Sequence, residues 1–255
     1  GGIHESYMYG AGFFSPYILE LIGSLKNMGL SQGDEFSNHP FIDKFLDFMV
    51  LSSDSGGKYP SFGDSPPTMR MQGAKYLLYY SKNDAPAEDK LLGYHYHKGI
   101  GYFYPYIFWM LDDDVAPVTP VVGSSVFHDV GIAILRENIS VKGRELETGW
   151  LNFYNPFLAF KSSANRDLHH NHYDANSFVL NGYIGGLTDP GYVPYFPAEL
   201  RNYGTGTEGH NSIIVDGIGQ DSKLGGVIED FSVSEEIDYV VGEAASTYPS
   251  SLGLN

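Results

Sequence analysis

The hexapeptide HHNHYD at residues 169–174 gathers three of the chain's nine histidines and an aspartate directly before an apolar run, ANSFVL. Side chains alternate between the two faces of a strand. Extended backbone therefore predicts His170, His172 and Asp174 on one face, with His169, Asn171 and Tyr173 on the other. Two imidazoles and a carboxylate so placed could move protons near neutral pH or bind a metal. A solvated polar strand end fits the same letters. Two downstream stretches carry complementary groups: Asp189 precedes a Pro-Gly turn in TDPGY, and His210 opens GHNSIIVDG. A zinc ion held by His, His and Asp needs donor atoms converging at about 2.0–2.2 Å. His172, Asp189 and His210 meet that need if their strands are neighbours. Taken singly, Asp189 also reads as a turn-capping residue and His210 as structural or exposed.

The elements that must position these groups fall into two kinds. Residues 1–112 read as helical. Ser15 is a candidate N-cap, Pro16 suits the first helical position, and Ile18, Leu21, Ile22, Leu25 and Met28 follow the helical period up to a stop at Gly29. PFIDKFLDFMV repeats the pattern with Ile42, Phe45, Leu46, Met49 and Val50. TMRMQGAKYLLYY and the segments 86–98 and 102–111 supply further helices. The loop SSDSGGKYPSFGDSPP lies between, long enough to suggest a functional role. The Pro-rich stretch 112–123 suits an interdomain linker, which sets domains of 1–115 and 116–255. Beyond it, segments beginning at Ser125, Trp150, Asn176, His210, Val227 and Ile237 are rich in β-branched and aromatic residues and read as strands. No helix is expected among them, so the fold class is multidomain α + β, helices followed by an antiparallel β-sandwich.

Bulk properties narrow the function. The 255 residues carry a net charge of −16 from 31 acids and 15 bases, a field that repels nucleic acid and anionic membranes. It would equally repel a polyanion unless the site is locally positive. The absence of cysteine excludes disulfides and thiolate metal sites. Twenty tyrosines supply rings that can stack on sugars, although most such rings serve packing. The opening GGIHESYMYG has no signal peptide and looks cut into a domain, so further chain before Gly1 is expected.

The run HHNHYDANSFVLNGYIGGLTDPGY followed by RNYGTGTEGHNSIIVDG resembles the signature blocks of the heparinase II/III-like polysaccharide lyases: H-x-H-x-D-x-x-S-F-x-L, then D-P-G-Y, then H-N-[ST]-[IVL]-x-V-D-G. VFHDVGIAILRE resembles the first sandwich strand of that family. GGIHESYMYG resembles a segment of its α/α toroid, and KYPSFGDSPP its G-D loop. The resemblance implies the end of an incomplete α/α toroid followed by the sandwich. It implies β-elimination on an anionic uronate polysaccharide, and a periplasmic or secreted location. His172, Asp189 and His210 become ligands of a divalent metal, zinc by their types, and His170 a catalytic histidine of the cleft. Tyr9 becomes the toroid proton-transfer residue, with Tyr7 the alternative. Tyr203 becomes the second cleft tyrosine, with Tyr192 or Tyr195 as fallback, and Glu5, Tyr7 and Arg201 fall among substrate-binding positions. The family also uses an Asn or His from an earlier toroid helix to neutralise the substrate carboxylate; no such helix precedes Gly1, so that residue is expected either in further chain before Gly1 or to be absent.

Other readings are weaker. A cupin-type H-x-H site requires a Glu shortly afterwards, where Ala175–Phe178 stand. A serine hydrolase requires a nucleophile elbow, and none is expected. The remaining rival is a carbohydrate-binding or structural protein that keeps the fold without catalysis. Five arginines and the negative charge disfavour a highly sulfated substrate.

Overall fold

The computed structural model describes residues 6–7, 15–54, 58–66, 121–136, 139–140, 156–163, 170–181 and 186–254. Helix α1 (Ser15–Asn27) ends where the sequence signals it. The Leu30 N–H donates to the Leu25 carbonyl at 3.0 Å and the Gly29 N–H to that of Lys26 at 2.9 Å. This closing pair needs a left-handed residue, and Gly29 supplies it at φ 70°. Helix α2 (Ser31–Ser37) follows at once and was not anticipated. The letters Gly-Leu-Ser-Gln-Gly at 29–33 match G-x-S-x-G, but Ser31 opens a helix that follows another helix. A nucleophile elbow needs a strand before it, so the resemblance stops at the letters. Helix α3 (Pro40–Leu51) begins on its proline and buries Phe45 and Phe48.

The larger sheet is antiparallel throughout, in the order β2 (Ser125–Phe127), β3 (Ile132–Arg136), β5 (Phe157–Lys161), β6 (Ser177–Asn181) and β7 (Gly186–Leu187). Register places Ile134 beside Ala159 and Ala159 beside Val179, a buried row across three strands. The same face carries Arg136 and Phe157 at one end, Lys161 and Ser177 at the other. Arg136 turns that end toward the helices, donating to the Leu51 and Ser53 carbonyls. Burial outweighs the nearby Asp54 charge and lowers its pKa to about 10. Phe127 packs edge-on against Phe48 at 5.0 Å, so α3 and the sheet share one apolar seam.

Strands β1 (Val121–Val122) and β4 (Ile139–Ser140) form a small pair, and β8 (Val227–Ser232) and β9 (Tyr239–Glu243) a bulged hairpin. The hairpin lies against the other face of the large sheet. Asn176 donates to the Gly242 carbonyl at 2.9 Å and Ser162 to that of Glu243 at 3.1 Å. The result is mixed helix and antiparallel sheet.

Three expectations change. Residues 170–176 form a loop, and strand β6 starts only at Ser177, so strand alternation does not align the histidines. The segment 210–217 is not a strand; its one described pairing is a bridge between Val215 and Ile218. A helix, α4 (Ala198–Thr205), does intervene, built on the helix-favouring run Ala-Glu-Leu-Arg after Pro197. The helices expected at 69–80, 86–98 and 102–111 and the 115/116 boundary lie outside the described residues. Among the described residues, no helix is long and apolar enough to cross a membrane.

Candidate active site

Three segments far apart in sequence meet at one carboxylate. Asp64 sits in the buried loop 58–66, the FGDSPP stretch, where its backbone N–H donates to the His170 carbonyl at 3.0 Å. Its Oδ2 receives His170 Nδ1 at 3.0 Å and its Oδ1 receives His172 Nε2 at 3.0 Å. From α4, Arg201 donates to both oxygens, Nη1 to Oδ1 at 2.6 Å and Nη2 to Oδ2 at 3.0 Å. Burial alone would raise the Asp64 carboxyl, but the bonds from His172, Arg201 and His170 outweigh it and hold it well below the usual carboxylate range. Asp64 is therefore ionised. His170 and His172 do face one way, because they share an anion rather than a pleated strand.

Beside this hub lies a second histidine–carboxylate pair. Asp189 Oδ2 accepts from His210 Nδ1 at 2.6 Å, and its Oδ1 accepts the Gly191 N–H at 3.0 Å. The loop bearing Asp189 is pinned to the Asp64 loop: Ser61 donates to the Asp189 carbonyl at 2.9 Å. Gly191 approaches so closely that a Cβ there would stand 2.1 Å from the Ser65 carbonyl oxygen, and its φ of 61° also requires glycine. The D-P-G-Y turn is thus a docking element. His210 follows a short 3-10 turn, Thr207–Gly209. Its ring centroid lies 5.2 Å from that of His172. Burial lowers the His172 pKa more than Asp64 raises it. Burial would likewise lower His210, but Asp189 and the charge of Asp174 raise it.

A third buried polar group supports the loop from below. Lys161, the last residue of β5, reaches Asp174 Oδ1 at 2.7 Å and Oδ2 at 2.8 Å, and also donates to Asn171. Asp174 is thereby committed to Lys161. Burial would raise its pKa, but the lysine charge lowers it overall.

The structure accordingly brings His170, His172, Asp189, His210 and Arg201 together. Arg201 does so as the clamp on Asp64, with its guanidinium 4.6 Å from the Tyr195 ring centroid. Tyr203 lies on α4 and is 60% exposed, and Tyr192 and Tyr195 are exposed on the preceding loop. Tyr7 is placed elsewhere: it is 3% exposed and stacked between Phe48 and Tyr59, at 5.3 and 4.9 Å. Burial pushes its phenol well above the ordinary value, so it is held as a core ring with no face open to a sugar. Tyr9 and Glu5 lie outside the described residues. Asp64 and Lys161 were not singled out from sequence. The acid in FGDSPP was a signal for the first, whereas a lysine ending an apolar strand gave little sign of the second.

Among the described residues, no three His, Asp or Glu side chains are already arranged as a metal-holding group. Two of the expected donors are nonetheless left open. His172 Nδ1 and His210 Nε2 are buried nitrogens with no hydrogen-bond partner, an unusual cost for folded proteins to carry. Asp189 faces the other nitrogen of the His210 ring, accepting from Nδ1.

Residues 119–245 match the family model described as heparinase II/III-like, C-terminal. No curated protein matches the chain. Among solved structures it is similar to a heparinase III gene product, with 17% identity and a TM-score of 0.64 over 97% of this chain and 35% of that one. It is also similar to a heparan sulfate lyase from Pedobacter heparinus (14%, 0.63, 94% and 33%) and to a further heparinase III structure (16%, 0.60, 92% and 35%). At these identities the likeness is one of fold. The chain spans about a third of the length of these structures.

Proposed function

We propose, from the premise that residues 119–245 belong to the heparinase II/III-like C-terminal family, that this chain is part of a polysaccharide lyase acting on a uronic-acid-containing polysaccharide. The observation that most supports this reading is the convergence of His170, His172 and Arg201 on Asp64, with Asp189 and His210 alongside. That arrangement offers a fixed imidazole, His170, partly open to solvent beside a rigid, fully buried polar support.

In β-elimination a base takes the proton from C5, the C4–O bond breaks, and an acid protonates the departing oxygen. The electrons of the C5–H bond become the new C4–C5 double bond. His170 serves as one proton-transfer group, since an imidazole exchanges protons near neutral pH. Tyr9 or Tyr203 serves as the other. A phenol ordinarily titrates near 10, so it needs cationic or hydrogen-bonding neighbours to act as a base near neutrality. Arg201 provides positive charge near Tyr195, on the loop before α4, in an otherwise acidic chain. His172, Asp189 and His210 would hold a divalent metal, zinc by ligand type, and it would brace this wall of the cleft. The likeness to heparan sulfate lyase and heparinase III structures supports an anionic uronate polymer as the substrate. An incomplete toroid on the N-terminal side, and a periplasmic or secreted location, belong to the same proposal.

The test is a panel of uronate polysaccharides assayed for unsaturated product with the full-length protein, alongside elemental analysis. The expected result is unsaturated sugar from at least one polymer and about one divalent metal per chain. His210→Ala should lose metal and melting temperature together, because ligand binding to the native state stabilises it. Carbohydrate binding with no unsaturated product from any polymer would instead identify a non-catalytic relative.

A further inference from the structure

We propose that Asp64 is a positioning residue that fixes His170 and His172 in opposite tautomers, putting the neutral lone pair on Nε2 of His170 and on Nδ1 of His172. The geometry leaves no other assignment. An ionised carboxylate only accepts hydrogen bonds, and it offers about four lone-pair sites. Asp64 receives four bonds: one from each histidine and two from Arg201. Every nitrogen facing it must therefore carry a hydrogen. His170 faces it through Nδ1 and His172 through Nε2. Whenever a ring is uncharged, its lone pair then lies on the opposite nitrogen.

The consequences differ for the two rings. In His170, Nε2 becomes the atom able to take a proton, and the Asp64 bond fixes the plane in which it lies. In His172, the lone pair falls on Nδ1, the nitrogen that is buried and unpartnered. Arg201 has a part in both: by gripping the carboxylate at two points it keeps Asp64 from rotating between the rings. The backbone bond from Asp64 to the His170 carbonyl ties the two loops in the same register. The catalytic consequence for His170 rests on the lyase reading above, whereas the tautomer assignment does not.

Nitrogen chemical shifts of the imidazole rings in the labelled full chain separate the two. In the wild type, His170 should show a protonated Nδ1 and His172 a protonated Nε2. Asp64→Asn keeps the shape but supplies one N–H2 group. Each oxygen accepts from Arg201 and from one histidine; the amide oxygen should take the Oδ1 place, under the shorter Arg201 bond and the buried His172, and turn the N–H2 toward His170 Nδ1. His170 should then reverse its tautomer. With the lyase substrate, kcat should fall about 10²–10⁴-fold while KM changes little, the pattern expected when a base is held in the wrong tautomer. A wild-type His170 carrying its lone pair on Nδ1 overturns the proposal, whether or not the variant folds. An unchanged kcat in a folded Asp64→Asn variant overturns it too. Tautomers as assigned in a wild-type protein that cleaves no uronate polymer would support the positioning role and overturn the lyase reading.

Discussion

Replacing Lys161 by methionine tests the support beneath the histidine loop. The three ammonium protons go to Asp174 Oδ1 at 2.7 Å, Asp174 Oδ2 at 2.8 Å and the Asn171 side-chain oxygen. The two charged side chains are only 8% and 2% exposed. Methionine preserves most of the aliphatic stem but removes the ammonium, which lies over the Phe62 ring, and leaves the Asp174 carboxylate buried without its cation. Breaking one side of a buried pair costs about 3–5 kcal/mol, far more than an exposed pair contributes. For a chain of this size, that lowers the melting temperature by about 6–20 °C. Denaturant unfolding followed by circular dichroism measures the free energy directly. The companion Lys161→Met/Asp174→Leu variant removes both charges. It should recover most of the loss, with a coupling energy of roughly 2 kcal/mol or more. A single-variant cost below about 1 kcal/mol, or a double variant equal to the sum of the two singles, would refute the reasoning.

Gly191→Ala should destabilise by roughly 1–3 kcal/mol, since the new methyl must displace the Ser65 carbonyl and the left-handed backbone resists it; denaturant unfolding measures it. Tyr239 donates to Asp230 Oδ2 at 2.7 Å, and this bond to the carboxylate raises its pKa above the ordinary value of 10.0. The stabilising contribution is thus present below the ordinary phenol value and lost as pH rises through the higher folded one. Asp230→Asn should return the phenolate absorbance titration to the ordinary range.

Local elements were legible where local chemistry decides them. Ser15, Pro16 and Gly29 mark the first helix because its ends are governed by caps and backbone freedom within a turn. The apolar runs of β3, β5 and β6 read correctly because each carries enough β-branched and aromatic residues to fill a sheet. Helix α4 was missed because its single-turn signal is weak and sits in a segment dense with glycine and tyrosine. HNSIIVDG looked like a strand from its isoleucines, yet Ile213 and Ile214 are exposed and the loop instead ties itself to Ala175 and Phe178 through Ser212 and Asn211.

For the site, the residue types in HHNHYD, DPGY and GHNS pointed to the right side chains for a wrong local reason. Alternation in a strand predicts His170, His172 and Asp174 as a set. Tertiary structure divides that set, giving the two histidines to Asp64 and the aspartate to Lys161. No spacing rule could pair His170 with a residue 106 positions earlier. The sequence by itself determined which groups are able to hold protons, charge or metal, because that follows from side-chain chemistry. Only the fold decided which of them face one another. A buried charge must be matched by whichever opposite group packing brings within about 3 Å, and that choice is made by the docking of loops 58–66, 170–176 and 189–201 together.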